Sequence, residues 1–104
     1  MARSNHRHDF NMNIENIFRA VGTVLKASKD DILGRSKKQP LCLGRQIAVY
    51  LAKNGRTHEQ LAKIFKRHHS NCVHSYYKIK YSIKCNDLPT VELLSEVEKE
   101  LKKI

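Results

Sequence analysis

Apolar residues recur along this chain at helical rather than strand periods. From Asn13 onward, Ile14, Ile17, Phe18, Val21, Val24 and Leu25 fall at the i, i+3, i+4, i+7 spacing that lines one face of an α-helix. Asn13 has the short acceptor side chain an N-cap needs, and Gly22 within the run marks close packing against another helix. Ser28 and Asp31 stand at capping-box spacing and predict a short turn through Ile32 and Leu33. Leu41 to Lys53 reads as a second long helix, with Leu43, Ile47, Tyr50 and Leu51 facing inward. Pro40 suits its first position, and Asn54-Gly55 its end. Thr57 and Gln60 form another capping box, opening a helix that buries Leu61, Ala62, Ile64 and Phe65.

Arg67 to Lys80 has a different character. Small polar side chains stand at a helix start (His68, His69, Ser70, Asn71), and aromatic and basic ones follow (Tyr76, Tyr77, Lys78, Lys80). A short capped helix, a tight turn and a polar-tipped helix make a helix-turn-helix, and such a second helix suits a DNA groove. Ala62 is small enough for the two helices to cross closely, although the turn Lys66-Arg67-His68 lacks the usual glycine. The helix is expected to end near Lys84, broken by Cys85-Asn86-Asp87-Leu88-Pro89. Val91, Leu94, Val97, Leu101 and Ile104 then mark a last amphipathic helix with an acidic outer face. The reading is all-α, five or six helices in one domain over residues 12–104. A flexible basic arm with Arg3, His6, Arg7 and His8 precedes it over residues 1–11.

Charge turns this scaffold into a candidate polyanion binder. The 104 residues carry 20 Lys and Arg against 10 Asp and Glu, and the two signs are segregated. Residues 35–84 hold 12 basic side chains and Glu59 as the one acid, a net of 12 − 1 = +11, whereas residues 87–104 hold 3 against 5, a net of −2. A solubilising coat mixes both signs, so a basic middle with a near-neutral tail points to nucleic acid rather than to a membrane surface. No apolar run approaches a membrane span, and the N-terminus lacks the apolar core of a secretory signal.

Other chemistry finds little support. Cys42, Cys72 and Cys85 are odd in number and lie in or beside expected helices, which argues against a disulfide framework and for a reducing cytosol. His68, His69, Cys72 and His74 include i, i+3 and i, i+4 pairs but neither a Cys-x-x-Cys nor a His-x-x-x-His clip, and His6 and His8 have no carboxylate or cysteine beside them, so no metal is expected. Cys72 and Val73 read as core-facing anchors, and Tyr76 or Tyr81 as a core plug. Three cysteines on expected core faces do not make an oriented nucleophile, and no cofactor or enzymatic activity is expected.

Two blocks carry a resemblance. Asp31-Ile32-Leu33-Gly34-Arg35-Ser36-Lys37-Lys38-Gln39-Pro40 runs into Leu43-Gly44-Arg45-Gln46-Ile47-Ala48-Val49-Tyr50-Leu51-Ala52-Lys53, and Arg67-His68-His69-Ser70-Asn71-Cys72-Val73-His74 follows. The first resembles the acidic-hydrophobic turn, basic loop and Arg-Gln-Ile-Ala-x-Tyr-Leu-Ala helix of the C-terminal DNA-binding domain of the bacterial replication initiator DnaA. The second parallels that family's Arg-Asp-His-Thr-Thr-Val-Leu-His signature. The resemblance covers about residues 14–82 and implies a Trp-repressor-like helix-turn-helix that binds short boxes of replication origins. It implies that His68, His69, Ser70 and Asn71 meet the major groove, and that Lys37 enters the minor groove with Arg35 and Lys38 as substitutes. Phosphate contacts are expected from Lys38, Arg45, Gln46, Lys53, Thr57, Lys66, Arg67, Tyr77 and Lys78.

This sequence departs from the signature in three places. His68 stands for an Asp that accepts from a cytosine amino group, Asn71 stands for a Thr, and Lys66 replaces a glycine pair in a turn one residue shorter. A related binding mode on a changed sequence is therefore expected. No Gly-x-x-x-x-Gly-Lys-Ser/Thr phosphate loop occurs, so the chain reads as a freestanding copy of the binding domain without the initiator's ATPase. The expectation is a cytoplasmic, nucleoid-associated protein, monomeric or weakly dimeric, with double-stranded DNA and the full-length initiator as partners. Its role would be regulating replication initiation. Alternatives are a transcriptional regulator at promoters and an adaptor whose basic face meets an acidic protein.

Overall fold

The capping residues found in the sequence set three of the helix starts. The structure, a computed structural model, describes residues 13–104, and the basic arm expected over residues 1–11 lies outside them. Six helices and no strands occur among the described residues. They are α1 (Ile14–Leu25), α2 (Lys29–Leu33), α3 (Leu41–Ala52), α4 (His58–Phe65), α5 (His69–Lys84) and α6 (Leu88–Lys103). Asn13 Oδ1 accepts from the Glu15 N–H at 2.8 Å and from the Asn16 N–H at 3.4 Å, satisfying donors that the first turn leaves free. Both capping boxes close reciprocally. Ser28 Oγ accepts from the Asp31 N–H at 3.1 Å while Asp31 Oδ2 accepts from the Ser28 N–H at 3.0 Å. Thr57 and Gln60 do the same at 3.1 and 2.9 Å. The last helix begins before its apolar repeat, at Leu88, where Asp87 Oδ2 accepts from the Thr90 hydroxyl at 2.7 Å.

Helix α3 is the centre of the molecule. It packs on α1 and α2 on one side and on α5 on the other, while α6 lies mainly along α1. Its sequence repeat marks one inward face, yet Gly44, Arg45, Ile47, Ala48, Val49, Leu51 and Ala52 are all buried. A helix walled by neighbours on several sides buries residues that a single-face reading assigns to solvent. Ile17, Phe18 and Val21 of α1, Ile32 of α2, Leu61 and Phe65 of α4, Cys72 and Ile79 of α5, and Leu94, Val97 and Leu101 of α6 complete the core. The Phe18 and Phe65 rings meet inside it at 5.4 Å, tying α1 to α4.

Gly22, contrary to its expected role, does not mark an approach to another helix. A Cβ there would meet the Ala27 carbonyl oxygen of its own chain at 2.6 Å, where the helix turns back at a left-handed Lys26. Close helix crossing occurs at Gly44 instead, where an added Cβ would run into the Leu25 side chain of α1. Cys85 is exposed beyond the end of α5 rather than on a core face, and Ile104 and Tyr81 also remain exposed. Tyr76 takes the packed position, stacked on Tyr50 of α3 at 5.5 Å.

The turn between α4 and α5 solves its missing glycine with strain. Lys66 adopts the left-handed conformation, φ 56° and ψ 44°, and the N–H groups of Lys66 and Arg67 both reach the Ala62 carbonyl. A side chain in that region costs on the order of 1 kcal/mol relative to glycine. Lys66→Gly should therefore raise the unfolding free energy by about 0.5–1 kcal/mol in urea titrations. A lowered midpoint at unchanged m would show that the turn geometry is not limiting.

Candidate nucleic-acid interface

The first turn of α5 projects at the surface because His68, His69, Ser70 and Asn71 are all exposed while Cys72, one turn in, is buried. Cys72 and Ser75 anchor the helix inward, with Ile79 a turn beyond. Val73 is half-buried. Burial pushes the Cys72 thiol pKa up, as suits a packing group rather than a nucleophile.

His68 takes an unexpected local task. It is the N-cap of α5, in an extended conformation of φ −65° and ψ 146°. Its ring Nδ1 accepts from the Ser70 N–H at 3.2 Å and lies 2.9 Å from Ser70 Oγ. A nitrogen that accepts a backbone N–H carries no proton, so the neutral ring is protonated at Nε2 and presents a donor on its other edge. The aspartate that the resemblance places here would cap by its carboxylate and present only acceptors.

The basic loop between α2 and α3 comes to the same end of the molecule. Arg35, Lys37 and Lys38 are exposed, and the Arg67 Nη2, at the entry to α5, donates to the Gly34 carbonyl. The start of the loop and the turn that enters α5, 33 residues apart in sequence, are thus in direct contact. Lys78 Nζ of α5 donates to Gln46 Oε1 of α3 at 3.1 Å, joining two residues expected on phosphates. Lys53 Nζ stands 5.6 Å over the Tyr76 ring, with Lys80 Nζ 5.9 Å from the Tyr76 and Tyr77 rings. Tyr77 is 55% exposed, and Lys66, Thr57 and Lys78 are also exposed. The ion pairs found among the described residues, Lys29–Glu15 and Lys103–Glu100, both fall outside the basic stretch.

Arg45 is placed differently from its expected phosphate role. It is only 9% exposed, and its fork is turned inward. Nε donates to the Ile32 carbonyl at 2.6 Å, Nη1 to the Ser36 carbonyl at 2.9 Å, and Nη2 to the Asp31 carbonyl at 3.5 Å. Those donors are spent on backbone carbonyls of α2 and the loop. Burial first, then the neighbouring Arg67 cation, lowers its pKa from the ordinary value. Arg67, also expected on phosphate, is half-buried with one donor committed to Gly34.

The sequence reading missed His58. It entered only as a residue inside a capping box, yet its ring lies 6.2 Å from His69, 5.9 Å from Tyr76 and 6.5 Å from Tyr77. Its Nδ1 is buried and without a hydrogen-bond partner among the described residues. Nothing in the spacing of His58 signals a ring cluster built by two helices. Burial, then the Lys53 cation, then His69 push its pKa below the ordinary value.

Helices α4 and α5, their glycine-free turn and the exposed polar first turn define this as a helix-turn-helix protein. Comparison with known sequences takes this further. The family described as bacterial dnaA protein helix-turn-helix matches residues 14–79. Similar curated proteins include the chromosomal replication initiator protein DnaA of Kosmotoga olearia, 30% identical over 78% of this chain and 19% of that protein. That of Campylobacter curvus is 35% identical over 75% and 19%, and that of Streptococcus thermophilus 34% over 77% and 18%. The chain belongs to the bacterial DnaA helix-turn-helix family, and it spans about a fifth of the length of these relatives. Among the described residues no helix is long and apolar enough to cross a membrane.

Two outcomes test this local geometry. His68→Ala should cost about 1 kcal/mol of stability through the lost cap, whereas His68→Asp should keep it; equal losses in thermal melts would remove the capping role. The folded state holds His58 neutral more strongly than the unfolded chain does, so the unfolded chain binds the extra proton. Its contribution is complete above the ordinary histidine value of about 6.5 and is lost as pH falls below it. The stability difference between wild type and His58→Gln should shrink across that acid window. A difference that stays flat with pH would contradict the lowered pKa.

Proposed function

We propose that this chain binds double-stranded DNA sequence-specifically at replication-origin-type sites and regulates replication initiation there. The observation that carries the reading is the Arg67–Gly34 contact. It ties the start of the loop that carries the exposed Arg35, Lys37 and Lys38 to the turn that enters α5, which supports a face with a helix tip for the major groove and a basic finger for the adjoining minor groove. His69, Ser70 and Asn71 read base edges, with Asn71 suited to a bidentate pair with adenine. Lys37, flanked by Arg35, is the minor-groove finger. Lys38, Gln46, Lys53, Thr57, Lys66, Tyr77 and Lys78 meet phosphates and fix the register.

His68 shifts the preferred site. With Nδ1 occupied by the cap, its Nε2–H donates, which favours a base edge with acceptors, such as guanine, over the cytosine amino group an aspartate would choose. The chain acts as a monomer or weak dimer in the nucleoid, without cofactor or catalysis, and its membership of the initiator's helix-turn-helix family makes the full-length initiator a partner or competitor on DNA.

Selection from random duplexes should return a site related to, but distinct from, the standard initiator box; recovery of that box unchanged would overturn the altered specificity. On the selected duplex, His69→Ala or Ser70→Ala should cost roughly 1–3 kcal/mol, and less on random DNA. Lys53→Ala should weaken both duplexes alike and lower the salt slope by about one unit. Equal losses on both duplexes for the first pair would exclude base reading by the tip of α5.

A further inference from the structure

Arg45 and Arg67 converge on one short stretch of backbone from opposite sides. Arg45, rooted in the buried helix α3, places its fork on the carbonyls of Asp31, Ile32 and Ser36. Arg67, rooted at the entry to the recognition helix, donates to the carbonyl of Gly34. Four carbonyls within residues 31–36 are therefore held by two guanidinium groups. The same loop carries the exposed Arg35, Lys37 and Lys38. The local bonds of the loop are modest: the Gly34 N–H to the Asp31 carbonyl at 3.2 Å and the Lys38 N–H to Ser36 Oγ at 3.2 Å. Two adjacent cations repel, and the carbonyls of residues 31–36 offset that repulsion by accepting from both.

We infer that Arg45 and Arg67 form a brace that locks the minor-groove loop to the recognition helix, making the pair a fixed-length ruler. On the DNA-binding reading above, the protein then selects the spacing between its minor-groove and major-groove subsites as well as their base sequences. Both arginines are positioning residues in this role, and neither acts as a phosphate contact. An unbraced loop would follow the groove wherever the helix docked, and would give affinity without discriminating spacing.

Arg67→Lys and Arg67→Gln in the full chain separate geometry from charge, because lysine keeps the cation but loses the planar fork. Hydrogen exchange in the free protein should speed up by about tenfold at the Gly34 and Lys38 amides in both variants, while core amides such as Ile47 and Ile79 keep their protection as the folding control. On DNA, both variants should lose about tenfold on the selected duplex. They should also bind nearly as well to duplexes with one base pair inserted between the two subsites, which wild type should reject. Wild-type exchange at Gly34 and Lys38 in both variants would overturn the brace, as would retention of wild-type spacing selectivity. If wild type itself preferred no duplex, the DNA reading would fall, and the exchange data on the free protein would still decide whether the brace exists.

Discussion

A guanidinium taken out of water keeps its charge only where acceptors replace the lost hydration, and Arg45 meets that condition with backbone carbonyls. Much of the binding face depends on this. The carbonyls belong to α2 and to the loop after it, so satisfying the buried cation fixes the path of the chain on its way into α3. Because α3 is walled by α1, α2 and α5, the loop inherits the rigidity of the core. Arg67 extends the same logic from the other side. A surface loop rich in lysine and arginine has few apolar groups of its own to order it, and here the ordering is supplied by two cations that point the other way.

Helix α5 shows a parallel economy. Its first turn leaves polar side chains exposed and still satisfies its own free N–H groups. His68 does both, capping with one ring nitrogen and presenting the other. Behind it, His58 packs against His69, Tyr76 and Tyr77 and stays neutral near Lys53, so the wall beneath the helix tip is aromatic rather than charged. Lys53 and Lys80 lie over those rings, which orders two cations at the edge of the face without an acid partner. Acid side chains would weaken attraction to a polyanion, and aromatic faces hold the cations without that penalty.

Much of this was legible in the sequence because it is local. The N-caps at Asn13, Ser28 and Thr57, the end of α5 and the core faces of α1 and α4 each depend on residues within a turn or two, where spacing decides geometry. The two signature blocks pointed to the same family that the comparisons show. The readings that failed were about what lies across the fold. Gly22 was given a helix neighbour and has its own turn, whereas Gly44 has the helix crossing. Arg45 was given a phosphate contact by the family resemblance and is turned inward instead, and His58 was passed over.

The sequence by itself determined the helices, their order, the segregation of charge and the identity of the polar tip, since each follows from backbone propensity, side-chain period or composition. Only the tertiary structure decided which cations face out. Arg45 and Arg67 have the same chemistry as Arg35 and, as cations, as Lys37. Their different directions come from where unpaired carbonyls lie once α2, α3 and α5 have packed. That is a property of the assembled helices, and no spacing along one of them encodes it.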